Sequence, residues 1–365
     1  MALRRVTVVV PNPKAPSYRL RLASLEPFAG AAGLQLTTVV LPRRPEWLRV
    51  LRLAATFRSS ELVLFSKLKL LLGEDLLVRR WCPLWVLDVD DAVMYGKPKR
   101  HGEPPDQAWW RRRRFARMVR NCALTVVGSQ ELARQVAPLG ACTVVYPTPV
   151  DLRRYPLAKP DAHGEVILGW IGLGKNLRYL QDLEGVLQAL SRRFPVRLKV
   201  ISDRLPALSG VPVELESWSE ATEGESLARC HVGLAPLSDD LWTQGKGGYR
   251  CIQYAAAGLP CVASPVGANR EVVVHGETGF WAKTPEEWLE ALTRLLENPS
   301  LRAAMGQKAR ARAETLYDLS LLAPRYVGWL RSLLLLPGFQ SLPRVDQEKR
   351  RAAVRETLNL ESFEV

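Results

Sequence analysis

Gln244-Gly-Lys-Gly-Gly-Tyr-Arg-Cys-Ile-Gln-Tyr-Ala-Ala-Ala-Gly-Leu-Pro-Cys-Val-Ala-Ser-Pro-Val-Gly267 reads as a glycine-rich loop, a short helix, a glycine stop and a buried strand. The spacing predicts a helix over Lys246–Ala257. On it Lys246, Arg250 and Gln253 share one face, because residues three and four apart are neighbours. Gly258 suits the position just past the helix end, and Pro260 prevents continuation. Cys261 to Ser264 is a short apolar run of strand type, and His231 to Leu237 is another just upstream. The unit is therefore strand, loop, helix, strand. Open α/β sheets place ligands in such a loop, outside the carboxyl end of a strand. A helix N-terminus with Lys246 and Arg250 beside it attracts anions, a phosphate or diphosphate above all. Gly245, Gly247 and Gly248 let a ligand approach the backbone. The loop is not a P-loop, since Gly247 follows Lys246 where Ser or Thr is required.

The chain has 365 residues and 47% hydrophobic content, more than one core usually holds, so two domains are expected. No apolar run is long enough to span a bilayer. The N-terminal run Val6–Val10 stops at Pro11-Asn12-Pro13, which fits a first strand better than a signal peptide. Six scattered cysteines without a CxxC pair point to buried free thiols in a reducing compartment, hence a cytoplasmic protein. The net charge of +14 is uneven. Residues 1–150 hold 24 Lys and Arg against 11 Asp and Glu; the remainder is nearly balanced. Trp109-Trp110-Arg111-Arg112-Arg113-Arg114 is the densest basic stretch. It fits either an anionic partner (a lipid head group, an anionic membrane or an acidic acceptor) or a solvated arginine-rich helix face. No nucleic-acid-binding signature accompanies it.

Strand-like runs recur at Val6–Val10, Leu36–Leu41, Leu62–Phe65, Leu84–Val89, Leu124–Val127 and Thr143–Tyr146. Helical patterns such as Arg19–Ala32 and Gln107–Asn121 lie between them. This alternation predicts a parallel sheet covered on both faces. A second series runs through Val166–Ile171, Leu198–Ile201, Val213–Leu215, Val232–Ala235 and Cys261–Ala263. The expected organisation is an N-terminal domain over 1–150, a linker over 151–164, a C-terminal domain with closing helices over 165–336 and a charged tail over 337–365.

Several stretches in order resemble the GT-B glycosyltransferases, specifically glycosyltransferase family 4. Ile167-Leu168-Gly169-Trp170-Ile171-Gly172 resembles the first strand and glycine turn of the family's donor domain. Val232 to Pro236 resembles the strand leading into the donor loop. Tyr254 to Ser264 resembles the Glu-Ala-Met-Ala-x-Gly-x-Pro-Val-Val-Ala-Ser segment, starting one residue after its glutamate. Gly267 to Gly279 resembles the turns that follow, and Pro147 to Tyr155 resembles the interdomain stretch. The resemblance covers roughly Val166 to Tyr317. In the first half it extends to architecture and to Ser17-Tyr18-Arg19-Leu20-Arg21. It implies an α/β GT-B fold of two tandem, doubly wound Rossmann-like domains facing a cleft, closing about Pro147–Pro160.

The resemblance also implies a retaining transfer of a hexose from a nucleoside diphosphate sugar, with no cofactor and no metal. The donor site would take Gly172, Lys175, Trp218, Gly245, Lys246, Gly247, Gly248, Tyr249, Arg250 and Gln253. Lys246 and Arg250 would stabilise the leaving diphosphate. Ser17, Arg19 and Arg21 would meet the acceptor, an unnamed glycan, lipid or small molecule. Two positions depart from the family. Gly245 and Gln253 stand where it usually carries the two glutamates that contact sugar and ribose. Gln253 keeps an acceptor oxygen but lacks the charge.

Asp88-Val89-Asp90-Asp91 ends a strand and so faces ligand. Three roles fit it: a metal motif, an acceptor or donor-sugar contact or a base through Asp90 or Asp91, and a helix cap. His101 lies in a basic, proline-containing loop. Two rival readings stand beside the transferase: a non-catalytic protein of the same fold that binds a nucleotide or an anionic membrane, and a sugar-nucleotide epimerase.

Overall fold

The computed structural model describes residues 3–42, 48–71, 73–82, 84–98, 103–158, 164–336 and 347–358. They form two compact units, one built from residues up to Lys99, Pro104–Pro149 and from Ser320 onward, the other from Val150–Leu319 together with Glu103.

The first unit contains strands β1 (Arg4–Val10), β2 (Leu34–Val40), β3 (Leu62–Ser66), β4 (Trp85–Val89), β5 (Leu124–Val127) and β6 (Thr143–Val145). They pair in the order β2-β1-β3-β4-β5-β6, and every pairing is parallel. Every residue of β3, β4 and β5 is buried, as a parallel sheet covered on both faces demands. The expected helix over Arg19–Ala32 is broken into α-helix Pro16–Arg21, a 3-10 turn, α-helix Glu26–Ala29 and a second 3-10 turn. Pro27, which has no N–H, opens the second helix.

The last long helix, Leu319–Leu335, packs from Ser320 onward with this first unit. The expected boundary at 336 therefore lies at Leu319. The physical reason is a buried polar cluster under β4. Arg21, fully buried, donates through Nε to Asp88 Oδ1 (2.9 Å) and through Nη2 to Asp88 Oδ2 (2.8 Å). Tyr326, from the late helix, donates its hydroxyl to the same carboxylate at 3.1 Å. Tyr146 lies edge-on to Tyr326, with centroids 4.7 Å apart, and faces the Arg21 guanidinium at 5.0 Å. The described part of the expected tail holds another helix, Gln347–Thr357, whose Val354 is fully buried.

The second unit contains β7 (Val166–Ile171), β8 (Val196–Ser202), β9 (Val213–Ser217), β10 (Val232–Ala235), β11 (Cys261–Ala263) and β12 (Gly279–Trp281). Their order is β12-β11-β10-β7-β8-β9, again all parallel. The three-residue edge strand β12 is too short for a sequence period and lies among glycines that read as turns. Helices Glu184–Arg193 and Pro285–Glu297 cover one face through Leu187, Leu190, Leu292 and Leu295. Helices Tyr249–Ala256 and Pro299–Leu316 cover the other through Tyr254, Ala309 and Ala313. These last two meet at a pair of glycines: a Cβ on Gly306 would lie 2.1 Å from the Gly258 carbonyl oxygen.

The start of the expected linker is folded into this unit. Val150 and Tyr317 are backbone-bonded, and Tyr155 is only 2% exposed. All six cysteines are buried free thiols. Burial raises the Cys230 thiol to about 12, so it stays protonated at neutral pH.

Replacing Arg21 by Ala leaves Asp88 buried without its cation. Arg21→Ala is expected to lower the unfolding free energy by about 3–5 kcal/mol, read from denaturant unfolding followed by tryptophan fluorescence. An unchanged midpoint would show that the pair does not hold the first unit together.

Candidate functional site

In the second unit the strand order reverses between β7 and β10. The crevice beyond the carboxyl ends of two such strands is where open α/β sheets bind ligands. Gly172 follows β7, and residues 236–248 follow β10. The helix packed against them begins at Tyr249, three residues later than the sequence pattern suggests. A separate turn of helix, Leu241–Gln244, precedes it, stopped by Gly245 and started by a capping box between Asp240 and Thr243. Lys246 therefore lies in the loop between two helices and not on the face that carries Arg250 and Gln253. Gly248 caps the second helix at φ 63°, and no side chain caps it. A Cβ there would add left-handed strain and press on Ala268 at 3.2 Å.

Two contacts fix this helix on the switch point. Tyr254 places its hydroxyl 3.1 Å from the Gly169 carbonyl oxygen of β7 and 2.9 Å from that of Leu234 in β10. Arg250 donates Nε to the Ile171 carbonyl at 2.7 Å, and its guanidinium lies 4.6 Å from the Trp170 ring. Glycine at 172 leaves room for this: a Cβ would come within 2.9 Å of Arg250 Nη2 and 3.0 Å of the Trp170 ring. Arg250, Gly172 and Gly248 thus converge at the ends of β7 and β10. Gly245 is buried, whereas Gly247 and Tyr249 are half-buried.

Gln253 is buried and turned into a network that the sequence did not reveal. Its Nε2 donates to Tyr155 Oη at 3.0 Å; Tyr155 in turn donates to Glu223 Oε1 at 2.7 Å. Trp218 donates its indole N–H to Glu223 Oε2 at 2.8 Å. Trp218 is 40% exposed, so its ring reaches the surface while its N–H is held. Burial, with Tyr249 and Glu223 nearby, pushes the Tyr155 phenol far above its ordinary value. Glu223 is thus a carboxylate beside the glutamine that stands in a glutamate position. Nothing in the sequence pattern singled out Glu223; its burial and its two hydrogen bonds distinguish it. Lys175 is exposed in a 3-10 turn after β7.

In the first unit Asp90 and Asp91 follow β4 and meet Lys67, which follows β3. The Lys67 ammonium lies 2.5 Å from a carboxylate oxygen of each. Lys67 has φ 52°, the one positive value outside glycine among the described residues. That conformation costs about 1–2 kcal/mol outside glycine. Nothing in the sequence singled out Lys67, because left-handed backbone is invisible there. Gly128, after β5, leaves room for this turn: a Cβ would lie 3.0 Å from Asp90 Cα. Nearby Lys69 donates to the Val93 carbonyl at 2.6 Å. Burial, then Arg111 and Arg114, lower its amine to about 8.

Asp88 and Arg21 do not join this group. Their ion pair is enclosed, so the expected acceptor role of Arg21 gives way to a structural one. Ser17 and Arg19 are half-buried on helix Pro16–Arg21. Ser129 caps the helix after β5 by accepting from Leu132 N. His101 lies outside the described residues.

Residues 227–312, which include the helix, its glycine loop and β11, match the family model of glycosyl transferases group 1. A stretch of 76 residues is 33% identical to the trehalose synthase of Pyrococcus horikoshii; it covers 21% of this chain and 18% of that protein. The match thus spans less than a fifth of the length of that relative. Solved structures resemble most of the chain, among them the following three. Sucrose-phosphate synthase from Thermosynechococcus elongatus aligns with a TM-score of 0.71 at 14% identity, covering 91% of this chain and all of that one. Anabaena Alr3699/HepE in complex with UDP-glucose aligns at 0.66 and 14%, covering 90% and 99%. A glycosyltransferase from Rickettsia africae aligns at 0.69 and 11%, covering 92% and 99%. At these identities the likeness is one of fold: two Rossmann-like units of the GT-B type.

The network around Gln253 leads to a test. Gln253→Glu restores the usual glutamate but sets a second carboxylate on Tyr155, whose proton already goes to Glu223. The substitution is expected to cost about 1–3 kcal/mol at pH 7. The new carboxyl would have a raised folded pKa, so this loss should fade as pH falls through that raised value and be gone below the unfolded value of about 4.3. Thermal unfolding of wild type and variant across pH 4–8 checks it; a variant as stable as wild type at pH 7 contradicts the network.

Proposed function

We propose that this chain, which carries a glycosyl transferases group 1 domain at residues 227–312, is a hexosyltransferase using a nucleoside diphosphate sugar. The reading rests on the convergence of Arg250, Gly172 and the open N-terminus of helix Tyr249–Ala256 at the switch point. In the reaction the bond between the anomeric carbon and the diphosphate breaks, and the acceptor oxygen bonds to that carbon. Negative charge grows on the leaving diphosphate. Arg250, already oriented by Ile171 and Trp170, offers its remaining N–H groups to it. Lys246 adds a point charge, and the helix dipole adds a partial one. Retention of configuration follows family 4. A uridine nucleotide is the first donor to try, since Anabaena HepE was solved with UDP-glucose.

Asp90 and Asp91, held by Lys67, are the acceptor-side groups in this reading. A carboxylate there accepts a hydroxyl hydrogen from the acceptor. The acceptor is a glycan or lipid presented at an anionic membrane surface. Supporting this, Trp109 is 71% and Trp110 41% exposed, and the guanidiniums of Arg111 and Arg114 lie 4.9 and 5.1 Å from the Trp110 ring. Aromatic rings beside cations suit a lipid headgroup layer. Among the described residues no helix is long and apolar enough to cross a membrane.

The commitment of the Gln253 amide to Tyr155 also favours a second reading, a nucleotide-binding protein of this fold that does not catalyse. Turnover of nucleotide sugars separates the two.

Calorimetry with UDP and other nucleoside diphosphates is expected to show Lys246→Ala and Arg250→Ala each weakening affinity by about 1.5–3 kcal/mol, the worth of a hydrogen bond to a charged group. Unchanged affinities in both would remove the donor site from this loop. In vesicle sedimentation, phosphatidylglycerol should retain the protein, and neutral phosphatidylcholine should not. Exchanging Arg111 to Arg114 for Gln should cost roughly 1 kcal/mol per charge near the surface. Equal retention by both lipids would remove the membrane from the reading.

A further inference from the structure

The second unit holds an open cavity of about 650 Å³ at its sheet edge, bounded by β12, the turn before it and helix Pro285–Glu297. That volume lies within the range of ligand pockets, about 300–1,000 Å³. We propose that it is a binding site for a neutral oligosaccharide, separate from the nucleotide loop.

Its floor is aromatic. Trp281 is half-buried, and the exposed His275 ring lies 5.6 Å from it and 5.7 Å from Phe280. The floor is also pinned. The Trp281 indole N–H donates to the Val273 carbonyl at 2.8 Å, and the Trp281 backbone N–H donates to His275 Nδ1 at 2.9 Å. Nε2 of the neutral imidazole is then the nitrogen that carries a proton. The Arg294 guanidinium lies 4.6 Å from the Phe280 ring centroid. The rim presents Arg270, Lys283 and Glu290, all exposed. Glu287 is occupied by the cap of the helix, accepting from Lys283 N and Thr284 N.

This combination selects the ligand class. A pyranose has one face of C–H bonds, which packs on an aromatic ring, and a belt of hydroxyls that both donate and accept. Planar guanidinium and carboxylate groups around such a ring meet those hydroxyls in pairs. Three cations against two carboxylates leave little net charge, so a polyanion is not favoured. The rim groups are exposed and already solvated, so a neutral polar ligand displaces water without stranding a buried charge. The helix carrying Glu290 and Arg294 is held by its capping box between Thr284 and Glu287. The site therefore needs little ordering when a ligand arrives.

The test uses the full chain, fluorescently labelled, on an array of neutral and acidic oligosaccharides, with calorimetry on the glycans retained. Neutral oligosaccharides should be retained, and Trp281→Ala and Glu290→Ala should each weaken binding at least tenfold. Both variants should bind UDP as wild type does. Conversely, Arg250→Ala should retain the glycans, so this inference and the nucleotide-sugar reading fail separately. Glu290→Ala changes an exposed helix position and keeps the test valid if Trp281→Ala does not fold. Three results would overturn the proposal: no glycan retained by wild type, equal retention by both variants, or retention of sulfated and phosphorylated ligands alone.

Discussion

The hydroxyl of Tyr254 is the contact on which the second unit's site depends. It lies within hydrogen-bond distance of carbonyl oxygens on two strands, Gly169 in β7 and Leu234 in β10. Those are the strands between which the order reverses. The helix can come this close because Gly233 has no side chain: a Cβ there would lie 2.3 Å from the Tyr254 ring. Burial pushes the Tyr254 phenol far above its ordinary value, so it stays a hydrogen-bond donor. With the helix fixed, its N-terminus opens at the ends of β7 and β10, and Arg250 reaches back to Ile171. A single buried hydroxyl thereby sets where positive charge stands.

The first unit is organised by a different kind of contact. Arg21 and Asp88 form an ion pair with no access to water, completed by Tyr326 from a helix more than two hundred residues later in the chain. Burying such a pair costs desolvation, and its geometry must be good to compensate. Its return is topological, because it joins the start, middle and end of the chain in one sheet's packing. One strand end further, Asp90 and Asp91 share Lys67 and remain partly accessible. The acidic run thus divides into an enclosed structural carboxylate and two that a ligand can reach. Alternation along an extended strand would have sent Asp88 and Asp90 the same way. β4 ends at Val89, so they part.

Much of the architecture was legible in the residues. Apolar runs of three to seven residues alternating with helical patterns identify both parallel sheets, because strands buried on two faces must be apolar throughout. Gly258 as a helix stop and Cys261–Ala263 as a strand are local properties, and both are found. The start of helix Tyr249–Ala256 was not legible. Lys246 has adequate helix propensity, but Gly248 takes a left-handed conformation that begins the helix later. The partner of Gln253 was not legible either. Tyr155 is 98 residues away in the chain and Glu223 another 68 from Tyr155.

The sequence by itself determined the α/β class, the two parallel sheets and the glycine-rich basic loop, since periodicity and glycine placement act over a few residues. Tertiary structure decided which charges are available to a ligand. It enclosed Arg21, turned Gln253 inward, set Lys67 between two aspartates and assembled the aromatic cavity beside β12. The reason is that burial and ion pairing arise where distant segments meet, and side-chain identity along the chain does not encode which distant group will be the neighbour.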